Sequence, residues 1–280
     1  MKLLLPLLAL SATPLLAGSE LAYSHNGSFL RDITSLNNWK IDVGGGLQFA
    51  PTYLGDDDYV VNLLPAVRIA YGDRFAISQV DGATFELFKS ENFSAGPIAR
   101  YDFGREEDGE QPFQIFGDET EDLEGLGDID DTIEVGFFAA YRTGPWEVRA
   151  ESLKGLSGGH EGLVSRLSGS YTIPVKPFGF SSYFTTTADL RFGDSDWTDT
   201  FFGIDSEQSA DSGLEQFDAN DGVASYGLRA SLVTKLSERY TLISYLGYQR
   251  LAGDVADSPL VEERGSENQF SAGIFLTYSF

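Results

Sequence analysis

Apolar and polar residues alternate along most of the chain with a period of two, the spacing of a β-strand whose faces meet different surroundings. The pattern is clearest at the end, where every second residue from Phe270 to Phe280 is apolar and the intervening positions are mostly small or polar. About eleven such segments follow one another between residues 39 and 280. This repetition, with aromatic residues near many segment ends, predicts a transmembrane β-barrel closed by its last strand.

The predicted fold class is therefore all-β, a transmembrane antiparallel up-and-down β-barrel. Bacterial single-chain barrels have an even number of strands. The alternation slips at Asp81 and Gly82, which indicates a turn hidden inside one segment. We therefore expect about twelve strands, with ten as the alternative if two segments do not span.

The lengths of the connections predict the orientation of the barrel. Tight turns lie near residues 90–91, 143–145, 175–176 and 237–238, whereas long connections cover 105–131, 194–221 and 254–267. The first long loop has twelve carboxylates and one arginine, and the second has nine carboxylates and no base. Short periplasmic turns and long external loops are typical of outer-membrane barrels.

The first residues predict export. Met1 and Lys2 precede an apolar run that ends in small residues, as in a secretory signal peptide. We expect a signal peptide at 1–17, an N-terminal tail at 18–38 and the barrel at 39–280. The expected location is the outer membrane of a Gram-negative cell.

Composition excludes several classes of function. The chain has no cysteine, so disulfides, thiolate metal sites and cysteine nucleophiles are absent. A net charge of -24 argues against nucleic acid as a partner. No cofactor motif is present, and none is predicted.

Charged residues occupy the strand positions opposite the apolar ones. A base facing lipid costs about 2–4 kcal/mol at mid-bilayer, so these side chains are expected to face the lumen. They either pair across the lumen as structural filling or line an anion-preferring passage. The predicted lumen-facing residues are Arg68, Arg100, Arg142, Glu147, Arg149, Glu151, Arg166, Asp189, Arg191 and Arg229.

Eight short patterns stand in a characteristic order: Pro51-x-Tyr53-x-Gly55, Leu64-Pro65, Gly104-Arg105, the Gly125–Asp130 segment, Phe201-Phe202-Gly203, Ser212-Gly213-Leu214, the Arg250–Pro259 segment and Tyr278-Ser279-Phe280. Together they resemble the MipA/OmpV (MltA-interacting protein) family of Gram-negative outer-membrane proteins, from Trp39 to Phe280. The resemblance implies a structural or adaptor barrel that links a murein hydrolase with a murein synthase, and it supplies no catalytic residues.

The alternative function is a narrow channel for small anionic or zwitterionic solutes, with acidic loops at its mouth. The expected partners are outer-membrane lipid, lipopolysaccharide, murein hydrolase and synthase proteins, and the barrel assembly machinery. That machinery is expected to read the last strand, with Tyr278 and Phe280 as the C-terminal assembly signal.

Two groups of residues offer candidate chemistry. His160 lies between Ser157 and Glu161 in a Gly-rich turn, which favours a surface-loop histidine over a Ser–His hydrolase site. No enzyme is therefore predicted. The acidic runs 56–58 and 128–131 offer oxygen ligands for Ca²⁺ or Mg²⁺ but lack the spacing of an EF-hand, so no dedicated metal site is predicted.

Overall fold

The computed structural model describes residues 38–79, 81–109, 113–117 and 120–280. The predicted signal peptide lies outside the described residues, and so does the predicted tail apart from Asn38. Within these residues, none of the helices is both long and apolar enough to cross a membrane.

The described residues form one antiparallel sheet of fourteen strands. Their bounds are β1 Trp39–Pro51, β2 Tyr59–Tyr71, β3 Phe75–Ser78, β4 Gly82–Phe85, β5 Phe88–Lys89, β6 Phe93–Asp102, β7 Gln114–Phe116, β8 Thr132–Thr143, β9 Trp146–Gly155, β10 Leu163–Val175, β11 Ser182–Gly193, β12 Gly222–Lys235, β13 Tyr240–Leu251 and β14 Asn268–Ser279.

Twelve of these strands close into a barrel, which confirms the predicted fold and strand number. β1 pairs with both β2 and β14, so the sheet has no free edge at the joint. The other two strands are short and do not belong to the ring. β5 pairs with β6, which also pairs with β4, and β7 pairs with β2. The slip at Asp81 and Gly82 is the turn between β3 and β4, as predicted.

The β3–β4 hairpin is short and reaches only part of the wall height. β3 pairs with Arg68–Tyr71 alone. Above it, the side chain of Gln79 takes the place of a strand: its Oε1 accepts from Val67 N at 2.5 Å, and its Nε2 donates to Pro65 O at 2.7 Å. Pro65, which lacks an N–H, therefore lies where the ladder on that side is incomplete.

The outer surface carries a belt of exposed apolar side chains between two sets of aromatic residues. Near the short turns, Trp39 packs on Tyr71 and Trp146 on Tyr171, with ring centroids 4.7 and 4.6 Å apart. Tyr248 packs on Phe270 at 5.2 Å near the long-loop end. Two aromatic girdles that flank an apolar band are the pattern of a barrel in a bilayer.

The joint between β1 and β14 requires two glycines. A Cβ built on Gly44 would lie 1.9 Å from Leu276 O, and one on Gly46 would lie 2.2 Å from Ile274 O. Because real side chains never approach a carbonyl oxygen so closely, glycine lets these strands meet. The joint ends where Phe280 N donates to Ile41 O at 3.0 Å.

In the part of the chain that the structure describes, the long loops contain four short helices, which the sequence pattern did not predict. They are α1 Ser195–Phe202, α2 Ser206–Ser212, α3 Asp254–Asp257 and α4 Pro259–Arg264. A 3₁₀ turn also occupies Pro177–Gly179 in a short connection. The next strand, β11, begins only after this turn, at Ser182.

Candidate functional site: the barrel interior and its outer cap

Glu151 is the centre of the charged interior. Its Oε1 lies 3.1 Å from Arg100 Nη2 and 3.8 Å from Arg166 Nη1, and its Oε2 lies 3.2 Å from Arg149 Nε. All four side chains are nearly excluded from solvent. Arg100 lies on β6, Arg149 and Glu151 lie on β9, and Arg166 lies on β10. In the ring, β9 neighbours β10, and β8 separates β9 from β6. One carboxylate therefore neutralises part of a group of three arginines.

Two other predicted arginines form separate pairs. Arg68 Nη1 lies 4.0 Å from Asp42 Oδ2, and Ser279 Oγ donates to the other oxygen of that carboxylate at 2.5 Å. Arg142 pairs with Glu147 near the short-turn end, where the arginine is half exposed. These pairs join neighbouring strands and do not belong to the Glu151 group.

The remaining predicted residues lie along β10, β11 and β12. Asp189 is half-buried and interacts electrostatically with Arg166, Arg191 and Arg229. The Arg191 guanidinium lies 5.4 Å from the centroid of the Trp197 ring. Arg229 lies 6.0 Å from the ring of Tyr245, whose hydroxyl accepts from Gln48 Nε2 at 2.8 Å.

Apolar side chains share the interior with these charges. Ile98, Phe138 and Leu153 form one buried cluster, and the Arg149 guanidinium lies 4.4 Å from the Phe138 ring centroid. Val233 and Ile243 form a second cluster with Phe275 packed against them. The interior therefore contains both charged and apolar side chains, which the parity argument alone did not reveal.

The long loops join into a cap with an apolar core of its own. Two clusters draw residues from the β1–β2, β6–β8, β11–β12 and β13–β14 connections, which are spread around the ring. Because loops from all sides meet in shared clusters, the cap extends across the outer mouth. The buried residues are Tyr53, Leu123, Leu126, Ile129, Val164, Trp197, Phe201, Phe202, Ile204, Leu214, Ala219, Ala224, Leu251, Val255, Leu260 and Val261.

Helix α1 supplies the aromatic centre of the cap. Asp194 caps it by accepting from Trp197 N at 3.0 Å, which places three aromatic residues on its buried side. Trp197 packs against Phe201 and Phe202 with centroids 5.4 and 5.9 Å away. Ser258 Oγ, next to α4, donates to Phe202 O at 2.7 Å, so two loops are tied together at this point.

Two arginines connect the cap loops through backbone carbonyls. Arg105 Nη1 donates to Phe201 O at 2.9 Å, and Arg264 Nη1 donates to Asp122 O at 2.6 Å. Burial lowers the pKa of the Arg105 guanidinium to about 10, so it remains charged at neutral pH. Such charge-assisted bonds are stronger than neutral ones, so they hold the loops together.

The acidic run 56–58 has a structural role in the cap. Asp56 is fully buried and bonds to Thr52 Oγ1, while its Oδ1 accepts from Asp58 N at 3.1 Å. Burial raises the pKa of the Asp56 carboxyl to about 7, and the nearby Asp122 charge adds to the rise. Asp57 and Asp122 have carboxylate oxygens within 4.8 Å of it and of each other.

His160 is not on the surface, contrary to the expectation from its Gly-rich turn. It is 2% exposed. Its ring packs edge-on against Phe201 of α1 at 5.6 Å, and its backbone N donates to Thr132 Oγ1 at 3.1 Å. Helix α1, which comes from a distant part of the sequence, covers His160 and shields it from water.

Sequence reasoning also missed Asp81, whose charge interacts with Arg149, Arg68 and Arg100. The parity slip at this residue was its only signal in the sequence.

The predicted assembly signal lies at the end of the last strand. The Tyr278 hydroxyl accepts from Arg239 Nη1 at 2.6 Å, and the Tyr278 ring lies 4.9 Å from that of Phe280. Their role in assembly stays a prediction.

A closed antiparallel barrel with an apolar belt, two aromatic girdles and a charged interior defines the class of outer-membrane β-barrel proteins. Within that class, the family model described as "MltA-interacting protein MipA" matches residues 43–280. The chain therefore belongs to the MipA family, as the sequence patterns predicted, and its location is the outer membrane.

One relative is similar to this chain in sequence, and two solved structures are similar to it in fold. The outer membrane protein OmpV of Vibrio cholerae serotype O1 is 30% identical over 93 residues, which cover 33% of this chain and 34% of OmpV. The match thus spans about a third of that relative. An outer membrane channel from Pseudomonas putida F1 has a TM-score of 0.44 and 11% identity, covering 89% of this chain and 98% of the channel. An anion-selective porin from Comamonas acidovorans has a TM-score of 0.29 and 12% identity, and the match covers 86% of this chain and 98% of the porin.

Proposed function

We propose that the chain is a structural adaptor that holds murein hydrolases and synthases at the inner surface of the outer membrane. The observation that carries this proposal is the cap. Loops from around the mouth share an apolar core above an interior that contains ion pairs and apolar side chains. The description of the family as MltA-interacting supports the class of partner.

The channel alternative needs a surplus of bases along an open path. Among the described residues, seven acidic side chains lie with the seven predicted arginines in the interior, so these arginines by themselves give no basic surplus. The acids are Asp42, Asp81, Asp102, Glu134, Glu147, Glu151 and Asp189.

One exposed aromatic residue in a short connection supports a docking role for the proposed periplasmic face. Phe178, in the 3₁₀ turn between β10 and β11, is 100% exposed and has a φ of 52°, a conformation unfavourable for a phenylalanine. Exposed aromatic side chains at the centre of an interface often contribute most of the binding energy. We assign Phe178 to the surface that contacts the murein enzymes.

The test is a binding experiment with the purified chain in nanodiscs. A lytic transglycosylase and a murein synthase should each be retained, and Phe178→Ala should weaken retention by about tenfold or more. Phe116→Ala is the matched control, because Phe116 is an exposed aromatic in the long β6–β8 connection, on the external side. If neither enzyme is retained by the parent chain, the adaptor proposal fails.

A further inference from the structure

Asp102, Glu134 and His160 form a cluster beneath the cap that the proposed function does not use. Asp102 ends β6, Glu134 lies on the neighbouring β8, and His160 lies in the β9–β10 loop. One ligand atom from each lies within 4.8 Å of those of the other two. Three residues from separate elements thus direct an imidazole and two carboxylates to one point.

His160 is the residue that points to a ligand. Its side chain is fully buried, and neither ring nitrogen makes a hydrogen bond. Buried polar atoms normally have partners, so two orphan nitrogens on one imidazole call for an explanation. A bound metal ion satisfies one of them directly.

The distance between His160 and Glu134 fits two ligands of one ion. Nε2 of the histidine lies 3.5 Å from Oε1 of the carboxylate, which is long for a direct hydrogen bond. In a tetrahedral site with bonds of about 2.1 Å, two ligand atoms are about 3.4 Å apart. The pair therefore has nearly the required spacing, and Asp102 offers an oxygen within 4.8 Å of both partners.

The surrounding chain holds the three ligands in place. A Cβ on Gly155, the residue opposite Glu134 on β9, would lie 2.8 Å from His160 Nδ1, so glycine makes room for the ring. Gly104 N donates to Asp102 Oδ1 at 2.8 Å and orients that carboxylate. Phe201 covers the histidine ring and restricts the access of water.

We propose that Asp102, Glu134 and His160 bind one divalent transition-metal ion, of which Zn²⁺ fits best. One imidazole nitrogen with two carboxylate oxygens suits Zn²⁺, whereas Ca²⁺ and Mg²⁺ prefer all-oxygen sites. The ion fastens the β9–β10 loop under the cap to the wall strands β6 and β8. This inference does not depend on the adaptor role.

The test measures metal binding by the whole folded chain. Untagged protein in detergent, stripped with a chelator, is titrated with Zn²⁺, and the bound metal is counted after gel filtration. We expect one Zn²⁺ per chain, loss of binding in His160→Ala, and affinity at least about tenfold weaker in Glu134→Gln. A polyhistidine tag is omitted because it would bind the ion itself.

Glu161→Gln is the matched control, because Glu161 is an exposed carboxylate next to His160, and it should bind like the parent. Cobalt(II) gives a second readout: the chain has only two histidines, so visible bands that disappear in His160→Ala and persist in His25→Ala locate the ligand. If His160→Ala fails to fold, Asp102→Asn and Glu134→Gln carry the test. The proposal is overturned if the parent binds no Zn²⁺ at micromolar concentration, if His160→Ala binds it equally, or if Ca²⁺ binds more tightly.

Discussion

The barrel wall and its cap are built from opposite arrangements of the same residue types. The wall exposes its apolar side chains and buries its charges, with Glu151 among three arginines. The cap buries apolar residues around Trp197 and leaves most of its carboxylates exposed. The difference follows from the solvent that each region meets, which is lipid around the wall and water above it.

The comparison predicts which interactions stabilise each region. Charge pairing must compensate burial inside the wall, since losing one partner leaves the other charge buried and uncompensated. The cap relies on apolar burial, as in a soluble protein. Substitutions that break each arrangement should therefore have distinct effects.

The largest effect is expected from Glu151→Gln. It leaves Arg100, Arg149 and Arg166 without their shared counter-charge, and breaking such a buried pair costs about 3–5 kcal/mol. Urea unfolding of the folded chain in detergent, followed by the shift of its unheated band on gels, measures the loss. Glu147→Gln is the control, because its partner Arg142 is half exposed and the loss should be smaller. Equal losses in both variants would contradict the central role of Glu151.

Phe202→Ala should cost a similar amount, but only in the cap. Phe202 is 2% exposed, and truncating a buried phenylalanine costs about 3–5 kcal/mol. Hydrogen exchange read by mass spectrometry should speed up in 195–217 and 254–264 and stay unchanged in the strands. Phe137→Ala, on the exposed belt, should leave the cap peptides protected. If the strands of the Phe202 variant open together with the cap, the two regions are not independent.

Leu246→Arg tests the belt directly. Leu246 is among the exposed apolar residues of β13, and an arginine near the middle of the bilayer costs about 2–4 kcal/mol. Unfolding in lipid vesicles should show this loss, whereas Leu156→Arg, in the β9–β10 loop, should change little. Tolerance of both arginines would place Leu246 outside the membrane.

The smallest effect is a pH dependence in the cap. The pKa of Asp56 is raised to about 7 by burial, so its contribution to cap stability is fully present below the ordinary carboxyl pKa of 3.8 and is lost as pH rises through 7. Thermal unfolding, followed by the fluorescence of Trp197 in a chain whose other two tryptophans are replaced by phenylalanine, should occur at lower temperature at pH 8 than at pH 5. Asp56→Asn should reduce that difference, and Asp57→Asn should not. A cap more stable at pH 8 than at pH 5 would show that other groups dominate.

The wall could be predicted from the sequence because successive side chains of a barrel strand point alternately to lipid and to the interior. That is why the hidden turn at Asp81 follows from parity. The cap could not be predicted, because its loops have no period and their apolar residues meet only in three dimensions. His160 was misjudged for the same reason: the residues that bury it, Phe201 above all, lie about forty positions away in the chain.

The adaptor proposal requires that the cap close the outer mouth and that the interior side chains leave no conducting path. Conductance across a planar bilayer containing the purified parent chain tests this directly. We expect no stable current steps at any voltage that the bilayer withstands. Steps of one reproducible size, abolished when the protein is heat-denatured before insertion, would contradict the closed barrel and favour the channel.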